Sequence, residues 1–138
     1  MNIVDKLLAL DTGKLELPSK EVEIKRLTAL FDDGEKAVFL CRAISADIYS
    51  DIQKMAVETK KGQVRDIDTT RLKYQTLVEG VMQPSFKDKN LQAYYGCSTA
   101  NELINKLLLP GEQDELLITI NELSGYDSNE EVEEEIKN

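Results

Sequence analysis

No histidine occurs anywhere in the 138 residues. That absence removes the usual general base, the commonest transition-metal ligand and every nucleophile–base pair built on imidazole. Cysteine is scarce too. Cys41 and Cys97 stand far apart, and such a pair reads as two small buried hydrophobes rather than a disulfide or a metal site. Cys41 neighbours Arg42, but a thiol with no base beside it makes a poor nucleophile. Long apolar runs are missing. Stretches such as Leu107–Leu109 and Leu116–Ile118 fall far short of the roughly 20 residues of a membrane-spanning helix. The opening MNIVDKLLALDTGKLEL carries Asp5 early and has no basic start before a long apolar run. It is not read as a secretory signal, and a cytoplasmic location is expected.

Positive charge is also in short supply. Lys and Arg number 17 against 26 Asp and Glu, for a net charge of −9. Binding a nucleic-acid backbone needs clustered cations. The densest group here, Lys60-Lys61 with Arg65 nearby, reads as a solvated loop. Such a balance steers the chain towards basic partners. Gly111 and Gly125 are isolated, so no phosphate-cradling loop is present. DSNEEVEEEI lacks the glycine and the alternating oxygen ligands of a calcium loop. Carboxylate groups such as Asp32/Asp33 and Glu133/Glu134/Glu135 fall on expected turns and tails, where water keeps them charged. What remains is a binding protein with no catalytic residue, cofactor or metal site.

Apolar residues make up 41% of the chain, enough for one domain with a real core. Residues 1–20 read as an N-terminal arm. Ile3, Val4, Leu7 and Leu8 are spaced for a helical turn or two before Asp11-Thr12-Gly13 breaks the pattern. An end that frays is preferred to one that docks on a partner. Residues 21–44 read as a β-hairpin turning at Asp33-Gly34, a pair suited to a two-residue loop. One face then collects Leu27, Ala29, Phe31, Val38 and Leu40. The other collects Val22, Ile24, Leu30, Phe39, Cys41 and Ala43, with Arg26 and Thr28 interrupting it, so either both faces are partly covered or a bulge near Arg26–Thr28 switches them midway.

Helices follow over 46–126. Ser45 caps one that runs to about Thr59. Asp68 or Thr69 caps a second with Leu72, Tyr74, Leu77, Val78, Val81 and Met82 on its apolar face and Gln83-Pro84 as its stop. Gly80 inside it points to close packing against a neighbour. Asp88 caps a short helix closed by Gly96, from which Cys97 folds back towards Leu91. Thr99 to Glu102 fits a capping box in which Glu102 reaches the cap's own N–H. Pro110 ends that helix or starts the next, whose stripe is Leu116, Leu117, Ile120 and Leu123. Gly125 stops it, and Tyr126 is placed to pack on Ile120. The expected fold is therefore α+β, mostly α: an N-terminal β-hairpin packed against a bundle of about five short helices, a single domain over 21–127. Residues 128–138 form an acidic C-terminal tail. Val132 and Ile136, one helical turn apart, are its candidate partner-binding positions, although a solvated tail is the preferred reading.

The stretch from Leu91 to Asp127 resembles the XkdN-like family of phage tail assembly chaperones. The likeness rests on Leu91-Gln92 with Tyr95-Gly96, on Glu102-Leu103, on Leu107-Leu108-Leu109-Pro110-Gly111-Glu112, and on Glu122 with Gly125-Tyr126-Asp127. In layout it extends over roughly residues 18–138. Gly96, Pro110, Gly111, Gly125 and Tyr126 are carried over as structural positions only. The resemblance implies a non-catalytic protein, absent from the finished virion, that keeps the helical tape measure protein soluble while tail tube subunits assemble. It also implies a longer frameshifted form as a companion. The residues leave a homo-oligomer open. They leave open a second class of function as well, an acidic adaptor or DNA mimic that blocks a basic partner protein.

Overall fold

A computed structural model describes residues 2–60 and 63–126, with the backbone alone for 58–60 and 63–67. In chain order the elements are α1 (Ile3–Leu8), β1 (Ser19–Glu23), α2 (Lys25–Leu30), β2 (Val38–Arg42), α3 (Ala46–Ala56), β3 (Val57–Lys60), β4 (Gln63–Ile67), α4 (Thr69–Gly80), β5 (Val81–Gln83), α5 (Lys89–Tyr94), α6 (Ala100–Leu107) and α7 (Pro110–Leu123). The architecture is α+β and mostly helical, with a small N-terminal sheet packed on a bundle of short helices. Five helices, α3 to α7, follow the first two strands.

β1 and β2 pair antiparallel, but not as a tight hairpin. Val38 faces Glu23, whereas a turn centred on Asp33-Gly34 would set Val38 against Ala29. Helix α2 occupies the intervening chain, where a bulge was one expectation. KRLTAL satisfies helical and alternating patterns equally, and the Thr28 hydroxyl accepts the Ala37 N–H at 2.8 Å, tying the end of α2 to the returning chain. Asp33 and Gly34 still make a turn: Gly34 has φ +76° and the Asp33 carboxylate accepts the Glu35 N–H at 2.9 Å.

Two more strands depart from expectation. The helix capped by Ser45 stops at Ala56, and Val57–Lys60 pairs antiparallel with Gln63–Ile67, a stretch read from sequence as a connector. Val57, Thr59, Val64 and Ile67 are β-branched, and such residues favour a pleated strand over a continued helix. Helix α4 ends at Gly80 rather than at Gln83-Pro84. Val81–Gln83 leaves it to join the other edge of β2, giving the sheet order β1-β2-β5.

One core unites these pieces. Val22, Ile24, Phe39 and Cys41 come from β1, β2 and the residue after β1, Leu77 and Val81 from α4 and β5, and Phe86 from the loop beyond. Leu103, Ile104, Leu108, Leu116 and Ile120 come from α6, α7 and their joint. Phe39 and Phe86 meet with ring centroids 6.3 Å apart. Each of these large side chains, fully removed from water, contributes roughly 2 kcal/mol of transfer free energy. Helix α7 is the hub, since it packs on β1, β2 and α4. Gly80 is what brings α4 that close. A Cβ there would lie 2.5–2.8 Å from the Ile120 side chain.

Candidate partner-binding surfaces

The Leu107–Glu112 joint holds the fold's most elaborate polar arrangement. Pro110 is the first residue of α7, where its missing N–H costs nothing. The Glu112 carboxylate reaches back to accept the Leu109 N–H at 2.8 Å and also receives a two-pronged contact from Arg26 of α2. Arg26 Nε donates at 3.0 Å and its Nη2 at 2.8 Å, while the same Nη2 donates to the Leu107 carbonyl at 2.7 Å. One guanidinium therefore closes the last turn of α6 and the first turn of α7 at once. Hydrogen bonding to Arg26 is the main cause that holds the Glu112 carboxyl below its ordinary pKa. Gly111 has no such role: a side chain there would meet nothing within 4 Å.

Two helix stops share one geometry. After α5, Gly96 at φ +70° donates to Ala93 O at 3.0 Å and Cys97 donates to Gln92 O at 2.8 Å. After α7, Gly125 at φ +98° donates to Glu122 O and Tyr126 to Asn121 O, both at 3.1 Å. These are Schellman closures, and positive φ is why glycine stands at each. The Tyr126 ring lies against Tyr49 of α3, with centroids 5.8 Å apart, where packing on Ile120 was expected. The Thr99 hydroxyl accepts the Glu102 N–H at 3.1 Å. In return Glu102 accepts the Ser98 N–H, one residue before the expected cap donor.

Two apolar surfaces stand free of this framework. The first is α1, capped by the Asn2 side chain accepting the Asp5 N–H at 2.9 Å. None of its residues is buried: Ile3 is 67%, Val4 58%, Leu7 59% and Leu8 81% exposed. It is a short capped helix with a bare apolar face. The second is a cleft of about 540 Å³ between α3, α4 and α7, lined by Tyr49, Leu72, Thr76, Leu117, Ile118 and Tyr126, with Lys73, Asp114 and Glu122 also on its walls. Sequence periodicity put these residues on separate helices and gave no sign that they converge.

The described residues offer no catalytic constellation. No group of three or more potential ligands gathers for a metal among them. Cys41 is fully buried and its thiol is pushed up to about 11 by that burial, with Glu115 adding to the effect, so it stays protonated and inert. Both cysteines are free thiols. No described helix is long and apolar enough to cross a membrane. The tail positions Val132 and Ile136 lie outside the described residues.

Comparison with known proteins gives concordant results. The family described as Phage XkdN-like tail assembly chaperone protein matches residues 4–137, so the likeness takes in the arm as well as the stretch after Leu91. The protein YqbN of Bacillus subtilis strain 168 is 27% identical over 129 residues, covering 88% of this chain and 87% of YqbN. The phage-like element PBSX protein XkdN of the same strain is 25% identical over 134 residues, covering 88% of this chain and 90% of XkdN. The crystal structure of YqbN matches with a TM-score of 0.63 at 25% identity, over 81% of this chain and 90% of that one.

Proposed function

The chain belongs to the XkdN-like family of phage tail assembly chaperones, non-catalytic proteins of phage assembly, and we propose that its client is the tape measure protein. In this reading it works in the bacterial cytoplasm, covers apolar helical surface on the client while tail tube subunits assemble, and is left out of the virion. A longer frameshifted form would share the task. The observation that carries the reading is the bare apolar face of α1 on a chain of net charge −9. An apolar contact element on an acidic carrier can cover a client helix and keep the pair in solution.

The test is co-expression of the tape measure protein with and without this chain. A client that moves from the pellet to the soluble fraction, and co-purifies with the chain, is the expected result. Equal solubility in both arms would sink the reading.

A further inference from the structure

We propose that the chain self-associates by arm exchange, with α1 of one copy seated in the α3–α4–α7 cleft of a second copy.

Area, charge and connectivity point the same way. At their observed exposures the side chains of Ile3, Val4, Leu7 and Leu8 leave an apolar patch on the order of 500 Å², a size at which patches on monomers have a function. Reciprocal exchange buries that patch twice, together with the matching cleft walls. The total then passes the roughly 1,000 Å² expected of a specific interface. α1 carries one charge of each sign, Asp5 and Lys6. The cleft presents Lys73 for the first, and Asp114 with Glu122 for the second. The arm's root lies near the cleft's end. Pro18 O accepts the Ala43 N–H at 2.9 Å, and the next residue, Ile44, donates to the Ser124 hydroxyl at 2.9 Å, two residues before the cleft residue Tyr126.

A second copy is the better occupant on two further grounds. Within its own chain α1 buries nothing, and the arm closes on itself: Asn2 caps α1, and Asp11 caps the Thr12–Leu15 turn by accepting the Gly13 N–H at 3.0 Å. The sequence beyond Tyr126, DSNEEVEEEIKN, is too acidic to suit a cleft that already presents Asp114 and Glu122.

Sedimentation equilibrium of the purified full chain alone, from about 1 to 100 µM, tests the proposal over the range where interfaces of this size associate. A concentration-dependent dimer is expected. Leu7→Asp and Ile118→Asp should each weaken it at least about tenfold. Leu7 is 59% and Ile118 38% exposed, so circular dichroism should show the fold intact in both variants, and urea midpoints are compared at the lowest concentration, where association no longer adds to stability. Chains carrying Leu7→Cys, mixed with chains carrying Ile118→Cys in a Cys97→Ser background, should form an interchain disulfide that neither forms alone. A monomer throughout the range overturns the proposal, as does a dimer that survives both aspartates. A disulfide formed only within a chain carrying both cysteines also overturns it. Arm exchange and client binding use the same face of α1 and therefore compete, so the exchanged dimer is the resting form from which a client helix displaces α1. No client is present in these measurements, so their failure leaves the tape-measure reading untouched, and failed co-expression leaves arm exchange untouched.

Discussion

Replacing Glu112 with glutamine takes the charge out of a contact that serves three partners, Arg26, the Leu109 N–H and, through Arg26, the Leu107 carbonyl. Glu112→Gln should lower the melting temperature by a few degrees at neutral pH, a range typical of losing one such contact in a domain of this size. The pH dependence has a definite sign. The folded carboxyl titrates below its ordinary value of 4.5, so its contribution is complete above that value and is lost as pH falls through the lower folded pKa. Thermal melts of the two proteins should converge as pH drops below 4.5. A gap that stays constant down to about pH 3 would assign the effect to shape rather than charge. Other single residues explain themselves more simply. Gln92 is buried because its Nε2 donates to Phe86 O at 2.7 Å. Gln113 is buried because its Nε2 donates to Leu108 O and to Asn105 Oδ1, both at 3.1 Å.

Among the elements, the α4–α7 crossing depends on one missing methyl. Alanine at position 80 would favour the helix by about 1 kcal/mol. Its Cβ would, however, press on Ile120, which is branched at Cβ and fully buried. Overpacking of this kind costs about 1–3 kcal/mol. Gly80→Ala is therefore expected to lower stability in urea melts by up to about 2 kcal/mol. Ile120→Val, which removes the nearest methyl, should recover part of that in the double variant, and a stabilising Gly80→Ala would disprove the crossing as described. The sequence made the caps legible because capping is local: Ser45, Asp68, Asp88 and Thr99 each accept the N–H three residues on. It concealed β5, whose three residues are extended only because β2 offers an edge. It concealed α2 because a short segment with two compatible periods is decided by what it packs against. The grouping of Val22, Ile24, Phe39, Cys41 and Ala43 on one face nonetheless holds, and it is this face that is buried. The register differs from expectation by six residues, and an even shift leaves each side chain on its own face. Leu30 and Phe31, expected on those faces, are exposed beyond the strand.

For the molecule as a whole, the arm and the body are separate in energy. Within one chain no side chain of α1 is buried, so Ile3→Ser, Leu7→Ser and Leu8→Ser combined should leave the urea unfolding free energy within about 0.5 kcal/mol of the parent when both are measured dilute enough to be monomeric. The same triple variant should fail to keep the tape measure protein soluble on co-expression. Undiminished solubilisation would move client binding off the arm. The arm's helical spacing was visible in the sequence, but its exposure was not, because exposure depends on whether anything comes to cover it. The cleft was invisible for a related reason: its walls come from three helices that only the tertiary fold brings together.

The Arg26–Glu112 contact spans 86 positions of the chain. β1 and β2 bury their inner face against α7, and β2 takes its second neighbour from residues 81–83. During synthesis, Val22, Ile24, Phe39 and Cys41 therefore emerge long before anything that can cover them, and the first half of the nascent chain has no finished structure to settle into. Covering of that inner face waits for α7, the last helix of the described chain. The chain thus carries its own apolar surface uncovered until its last helix is made.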